Sequence, residues 1–278
     1  MALLLFVVGI AYVPGLNGPF IFDDAPNLME NQKVHINELS TDSIYSAVFS
    51  IQSGPLYRPV SMLSIALNYY WGGDKVRNYK VVNVIVHCLA TLAVFYLVFN
   101  LLRALALLQP ENAHLDTPRQ QWAAAFLVAG LWGLHPLNLT SVLYVVQRMA
   151  SLAGLFTFLT VAFYLQGRIA LLQSKRGVVW YWFAAVIFAV LGIFSKESAV
   201  LAPIFVALVE GCIGRWSAPG SWLPFFRCMK VFSYLGVLIL GLLLFFYWDY
   251  FMGGYSNRPF TVEQRLLTES RVLWHYLS

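Results

Sequence analysis

Long apolar runs, separated by short polar segments, form most of this 278-residue chain. A helix needs about 20 mainly apolar residues to cross a bilayer, and fewer where flanking side chains reach the interface. The pattern therefore predicts an all-α integral membrane protein with about seven spanning helices. The apolar runs lie at 2–14, 81–102, 122–134, 149–166, 178–194, 199–213 and 231–248.

The long polar segment 15–80 separates the first apolar run from the second. Within its part 38–71, apolar residues such as Ile44, Val48 and Ile51 recur at helical spacing. This spacing predicts amphipathic helices that lie along the membrane surface. The first run has no basic residues before it and no small-residue cleavage site after it. We therefore expect a retained first helix and not a removed signal peptide.

Composition strengthens the membrane assignment and argues against nucleic-acid binding. Hydrophobic residues make up 59% of the chain and charged residues 11%, and the mean hydropathy is +0.67. Soluble domains carry about 25% charged residues, so lipid is the better solvent for so apolar a chain. The net charge of +5 comes from basic residues scattered between apolar runs. Such scatter is typical of charge bias in membrane-protein loops and predicts the lipid bilayer as partner.

The basic residues also predict an orientation. With the N-terminus in the cytoplasm, three short cytoplasmic loops, 103–121, 167–177 and 211–230, hold eight of the 18 Lys and Arg residues. This matches the excess of basic residues in the cytoplasmic loops of membrane proteins. Segment 15–80 is then extracytoplasmic, on the periplasmic face of a bacterial inner membrane or the luminal face of an endoplasmic reticulum membrane.

Two adjacent acids, Asp23 and Asp24, follow the first helix in the string FIFDD. Repulsion between neighbouring carboxylates raises the pKa of one of them. One then suits a general base toward a hydroxyl group, with Asp24 slightly preferred, and the other is its partner or a metal ligand. Mg²⁺ or Mn²⁺ is a possible cofactor, although two carboxylates alone make an incomplete site. The alternative is a helix cap, because an Ala-Pro pair follows Asp24.

Five more polar side chains on the same predicted face suit a phosphate ligand. Arginine binds phosphate oxygens through parallel hydrogen bonds, and an arginine at a helix start opposes the helix dipole unless it serves another purpose. The alternatives are solvated or snorkelling cations and, for the Lys-Glu pair, a turn that pairs its own charges. The candidate phosphate ligands are Arg58, His135, Arg148, Lys196 and Glu197.

A weaker signal comes from four other residues. His87 lies a turn or two inside the predicted span 81–102, and Arg258, Arg265 and Arg271 lie near the C-terminal end at spacings typical of a solvated helix. We keep all four as secondary site candidates. The three cysteines are expected to be packing residues, since their spacing fits neither a metal nor a disulfide framework. The sequence contains no zinc, P-loop, serine-hydrolase or dinucleotide signature.

Taken in order, the motifs resemble one family. The strings are FIFDD, YRPV, NVIVH, HP followed by VLYVVQR, FSKES, and RPFTVEQRLLTESRVL. This ordered set resembles the transmembrane and tetratricopeptide-repeat O-mannosyltransferases and their bacterial relatives, which have the C-type glycosyltransferase fold. Lys80 stands where relatives are expected to have His, and we assign it no role. Members carry further spans and repeats, so this chain is expected to be incomplete at its C-terminus.

The resemblance implies an activity and assigns roles to residues. Such an enzyme moves a sugar from a polyprenyl-phosphate donor to a hydroxyl acceptor, often a Ser or Thr of a protein, within one membrane domain, 1–278. Asp23 or Asp24 would be the acid–base group of the catalytic loop 15–80, and the cationic candidates would hold the donor phosphate. The alternatives are an oligosaccharide or polysaccharide ligase that uses a lipid diphosphate, with a glycan as acceptor, and a non-catalytic transporter or scaffold.

Overall fold

The computed structural model describes residues 1–51, 56–115, 117–248, 253 and 258–277, and all secondary structure within them is helical. The chain divides into two compact units, Met1–Arg215 and Trp216–Ser278. The first unit contains α1 (Ala2–Ala11), α2 (Thr41–Val48), α3 (Pro59–Gly72), α4 (Val76–Leu108), α5 (Pro118–Gly133), α6 (Asn138–Leu143), α7 (Arg148–Leu172), α8 (Val178–Ile193) and α9 (Ala202–Val209). The second unit contains α10 (Leu223–Phe246) and α11 (Val262–Leu277).

Four helical segments are long and apolar enough to cross a membrane. They coincide with four of the predicted spans and support a helical integral membrane protein. The other three predicted runs form the shorter helices α1, α5 and α8, whose crossing of a bilayer remains a prediction. The four long segments are Val76–Leu108, Val145–Leu172, Glu197–Gly214 and Gly220–Leu243.

Helices α4 and α7 form the centre of the first unit, with α5 and α8 packed beside them. Small side chains permit the close approach of α5. A Cβ atom on Gly133 would lie 2.8 Å from Thr91 Oγ1 and 3.1 Å from Val8 Cγ2. Close helix packing through small residues is common in membrane proteins, where dispersion contacts replace the hydrophobic effect between helices.

Helix α7 is longer than predicted, and this corrects the loop assigned to 167–177. The helix continues to Leu172 and buries Arg168, which we expected in a cytoplasmic loop. Arg168 Nε lies 3.0 Å from Glu210 Oε2, and Tyr164 donates a hydrogen bond to the same carboxylate at 2.6 Å. A charge loses its hydration energy when it is buried. Ion pairing and hydrogen bonds offset this loss, whereas an isolated charge has nothing to offset it.

An apolar cluster joins the segment 15–80 to the start of α7, and we call it the loop core. It brings loop residues under α3 and against the short 3₁₀ turn Val145–Gln147, which leads directly into α7. The buried members of the loop core are Leu28, Val34, Ile51, Met62, Ile65, Tyr79, Tyr144, Val145, Val146 and Met149.

Candidate active site

Asp24 is completely buried and fastens the loop to the start of α7. Its Oδ1 accepts a hydrogen bond from the Val146 backbone N–H at 2.7 Å, and its Oδ2 accepts one from Ile21 N–H at 3.1 Å. The residue does stand at the N-cap position of the π-helical turn Ala25–Met29, but its side chain makes no capping bond there. The carboxylate therefore serves tertiary contacts, in contrast to the helix-cap alternative.

Burial raises the pKa of the Asp24 carboxyl above its ordinary value. The N–H groups of Ile21 and Val146 and the charge of Lys80 act in the opposite direction but do not cancel this effect. The Lys80 side chain is buried, and its Nζ donates to the carbonyl oxygens of Gly18 at 2.9 Å and Gly15 at 3.3 Å. Lys80 thus supports the loop that carries the acids, a role we did not assign to it from the sequence.

Asp23 has the opposite environment, because its side chain is exposed. Its backbone N–H donates to the Tyr144 hydroxyl oxygen at 2.8 Å. Burial raises the pKa of Tyr144, and the carboxylates of Asp23 and Asp24 add to this rise. The adjacent acids therefore divide into an accessible carboxylate and a buried one.

Arg148 is completely buried and binds protein groups through four hydrogen bonds. Its Nε donates to Asn83 Oδ1 at 2.7 Å, and Nη1 donates to Ser64 O at 3.1 Å. Its Nη2 donates to Asn68 Oδ1 at 2.7 Å and to Tyr79 O at 2.9 Å. Guanidinium carries five N–H donors, so one remains. Arg148 thereby connects α3, α4 and α7, and its guanidinium is held by protein acceptors.

Arg58 and Glu197 form a two-pronged ion pair at the start of α3. Arg58 Nε lies 3.0 Å from Glu197 Oε2, and its Nη2 lies at the same distance from that oxygen. Two further bonds fix the segments: Val60 N–H donates to Phe194 O at 3.1 Å, and Ser61 Oγ donates to Ser195 O at 2.9 Å. The sequence candidates from YRPV and FSKES therefore do meet.

Lys196, next to Glu197 in the chain, forms a cation cluster with Arg58 and Glu197. Unlike Arg58, it has no counterion in contact among the described residues. It is half-buried, and among the residues the structure describes its ammonium has no hydrogen-bond acceptor. Burial lowers the pKa of Lys196, the nearby Arg58 charge lowers it further, and Glu197 has the opposite effect. Because Glu197 neutralises Arg58, the cluster has one net positive charge.

The acids and the cations meet the same short stretch of chain. Asp24 binds Val146 N–H, and Arg58 Nη1 donates to Met149 Sδ at 3.5 Å. Three residues of helical backbone advance about 5 Å along the axis, so both groups contact the same end of α7. The backbone is strained at both groups. Phe22, next to the acids, has a φ of +43°, and Arg58 has a φ of +52°.

The two candidate histidines lie elsewhere. His135 is exposed, and its Nδ1 accepts a hydrogen bond from Leu137 N–H at 3.2 Å, which stabilises the turn before α6. His87 is buried inside α4, where its Nε2 lies 2.8 Å from Gly133 O and 3.3 Å from the Tyr12 hydroxyl. The structure shows neither histidine in contact with the acids or the Arg58–Glu197 pair.

The remaining arginine candidates, Arg258, Arg265 and Arg271, belong to the second unit. Arg265 Nε lies 3.6 Å from Glu269 Oε1, one helical turn along α11, as the sequence spacing indicated. Exposed pairs of this kind contribute little to stability. Their place among the secondary site candidates stays a prediction.

Among the described residues, no group of three or more His, Cys, Asp or Glu side chains lies close enough together to bind a divalent cation. Both oxygens of Asp24 already accept backbone hydrogen bonds, and Asp23 is exposed at the surface. The donor set does not fit Mg²⁺ or Mn²⁺, which favour several converging oxygens. The chemistry proposed below therefore uses side chains alone.

Sequence reasoning missed four residues that build this site. Lys80 and Tyr144 hold the acids, and Asn68 and Asn83 hold Arg148. Asn83 did give a signal, because an amide inside an apolar span needs a partner. The other three gave none, since their partners are 62 to 121 residues distant in the chain.

Curated relatives resemble this chain over much of its length. The protein O-mannosyl-transferase Tmtc1 of Drosophila melanogaster is 28% identical over 207 residues, covering 72% of this chain and 21% of that protein. The protein O-mannosyl-transferase F38B6.6 of Caenorhabditis elegans is 27% identical over 173 residues, covering 59% and 23%. TMTC4 of Mus musculus, also named a protein O-mannosyl-transferase, is 29% identical over 170 residues, covering 58% and 22%.

These relatives confirm the resemblance that the ordered motifs indicated. The chain spans about a fifth of the length of the curated relatives it matches. No family model matches the chain, and no solved structure matches it.

Proposed function

We propose that this chain is the catalytic membrane part of a glycosyltransferase that moves a sugar from a polyprenyl-phosphate donor to a hydroxyl group, a Ser or Thr of a protein. The observation that carries the proposal is that the loop bearing the acids and the cluster of cations both bind the start of α7, through Asp24 to Val146 N–H and through Arg58 to Met149 Sδ. Asp23, next to Asp24, is exposed, and Lys196, next to Glu197, has no counterion in contact among the described residues. The names of the relatives support the sugar-transfer class and the protein acceptor.

Asp23 is the general base in this proposal, and Asp24 positions it. The acceptor hydroxyl oxygen attacks the anomeric carbon of the sugar, the bond from that carbon to the phosphate oxygen breaks, and the phosphate leaves with the electron pair. The hydroxyl proton passes to the Asp23 carboxylate. Solvent access of Asp23 supports this assignment, because a base must reach its proton within hydrogen-bond distance. Both Asp24 oxygens already bind backbone N–H groups, so the slight sequence preference for Asp24 is not retained.

Lys196 and Arg58 bind the donor phosphate and stabilise the charge that develops on it. Arg58 is already paired with Glu197, so the cluster offers one net positive charge. A sugar phosphodiester of a polyprenol carries one negative charge and matches it, whereas a diphosphate carries two. The charge balance therefore favours the lipid monophosphate donor over the diphosphate of the ligase alternative.

Arg148 takes a supporting role in this proposal instead of direct phosphate contact. Its four hydrogen bonds to protein acceptors fix the start of α7, which in turn carries the contacts to Asp24 and Arg58. A buried charge with this many partners is a rigid support for the groups around it.

The test measures sugar transfer in lipid nanodiscs, using protein that contains the whole chain. Polyprenyl-phosphate-mannose and polyprenyl-diphosphate-mannose are offered as donors with a mixture of Ser- and Thr-containing peptides. We expect transfer from the monophosphate donor, its loss in Asp23→Asn, and its retention in the matched control Asp42→Asn, an exposed acid of the same loop. Wild-type protein that transfers sugar from neither donor, or an Asp23→Asn variant with full activity, would overturn the proposal.

A further inference from the structure

Phe22 occupies a backbone position that rarely accepts a bulky side chain. It is the first central residue of a turn closed by a hydrogen bond from Asp24 N–H to Ile21 O, at 2.9 Å. Its φ is +43°, and its side chain is 83% exposed. Turns with positive φ at this position favour glycine, because a Cβ atom crowds the backbone there. An exposed phenylalanine there contributes little burial to offset its strain.

The frame around Phe22 is rigid on both sides. Ala25 N–H donates to Phe22 O at 3.1 Å, the Asp24 carboxylate binds Ile21 N–H, and Asp23 N–H binds the Tyr144 hydroxyl. The Phe22 ring lies edge to face with the Tyr144 ring, with centroids 6.3 Å apart and planes at 70°. The strained turn therefore presents an exposed aromatic ring, in contact with Tyr144, next to Asp23 in the chain.

In a sugar-transfer enzyme, an exposed aromatic face beside an acid suits the sugar itself as ligand. The faces of an aromatic ring are electron-rich, and a pyranose presents a row of weakly positive C–H groups on one of its own faces. A sugar stacked on the Phe22 ring would lie beside Asp23, the next residue of the turn.

Resting on the proposed function, we propose that Phe22 is the surface on which the transferred sugar stacks, with Tyr144 supporting the ring from the side. The turn directs the Phe22 ring outward, where it is open to an incoming pyranose. Phe22 is thus a sugar-binding and specificity residue, distinct from the phosphate ligands at Lys196 and Arg58.

Lipid contact is the competing explanation, because Ile21 and Met29 nearby are also exposed, at 39% and 51%. A ring buried in the bilayer or against the prenyl chain would contribute to binding of any polyprenyl phosphate, with or without sugar. A ring that stacks on sugar contributes only when the sugar is present. Binding of sugar-free polyprenyl phosphate therefore distinguishes lipid contact from sugar stacking.

The experiment measures the KM for polyprenyl-phosphate-mannose and the inhibition constant of sugar-free polyprenyl phosphate, in nanodiscs with protein that contains the whole chain. For Phe22→Ala we expect KM to rise roughly three- to tenfold, the range of aromatic contact energies. The inhibition constant should stay unchanged, and Phe22→Trp should restore KM. Tyr45→Ala, at an exposed aromatic residue of α2 in the same loop, is the matched control and should leave both constants unaltered.

A second variant tests the strain. Phe22→Gly should raise thermal stability while it weakens mannose-donor binding, whereas Ser174→Gly, at another residue with positive φ, should raise stability without affecting the donor. Equal weakening of both ligands in Phe22→Ala, or no change in KM, would overturn the stacking proposal while transfer by the wild type continued. Absence of transfer by the wild type would instead refute the proposed function.

Discussion

Replacing Arg148 with lysine distinguishes a buried support from a phosphate ligand. The guanidinium donates to two asparagine oxygens and two backbone carbonyls on α3 and α4, and a single ammonium cannot reach all four. A buried acceptor left without its donor costs about 1–3 kcal/mol. If lysine retains one or two of the bonds, two or three acceptors are lost, and the expected destabilisation is on the order of 2–9 kcal/mol.

The assay is thermal unfolding in detergent, followed by intrinsic tryptophan fluorescence, alongside donor binding at a temperature where the variant remains folded. Even the lower end of this range should lower the midpoint by several degrees, since about 1 kcal/mol shifts a domain of this size by about 2–4 °C. The matched control is Arg119→Lys, at an exposed position of α5, which should leave the midpoint unchanged.

The opposite pattern would refute this reasoning. An Arg148→Lys protein with the wild-type midpoint, but without donor binding, would mean that Arg148 contacts the phosphate directly. The role predicted from the sequence motif would then stand, and the hydrogen bonds to Asn68 and Asn83 would be secondary.

Three further predictions concern the loop and the cation cluster. Asp24→Asn should lower the unfolding midpoint, because an amide nitrogen cannot accept the second of the two backbone N–H bonds, and it should remove a pH dependence. The raised pKa of Asp24 means that the wild type loses stability as pH rises from about 3.8 through that pKa, as followed by unfolding midpoints. Glu197→Gln frees Arg58 and adds one positive charge, so binding of a diphosphate donor should strengthen relative to the monophosphate; an unchanged ratio contradicts the charge count. Monophosphate binding should weaken as pH rises through the lowered pKa of Lys196, below 10.5, and a Lys196→Arg variant should lose this dependence.

The helices were predictable from the sequence because apolar length alone indicates them. The strings YRPV and FSKES also indicated residues that lie together, since Arg58 does pair with Glu197, whereas the roles of these residues stay predictions. What the sequence could not give was the difference in burial between Asp23 and Asp24. The burial of Asp24 depends on Val146 N–H, a backbone donor 122 residues away, and backbone donors leave no signal in residue type.

The burial of charged side chains was likewise not predictable from the sequence pattern. Arg148 and Arg168 both stand near the ends of apolar runs, where a solvated or snorkelling arginine is the ordinary expectation. Their burial depends on partners contributed by other helices, Asn83 and Asn68 for one and Glu210 for the other. Such partners become recognisable only once the helices are packed.

The Arg168–Glu210 pair has a consequence for the order in which the protein enters its membrane. Arg168 leaves the ribosome 42 residues before Glu210, which at ordinary synthesis rates is roughly 2–8 s earlier. During that interval the Glu210 carboxylate is not yet available to Arg168, so we expect the end of α7 to stay at the lipid headgroups, where arginine is tolerated. We therefore expect the final turn of α7 and the segment Glu197–Gly214 to enter the bilayer together, with the ion pair forming as they do so.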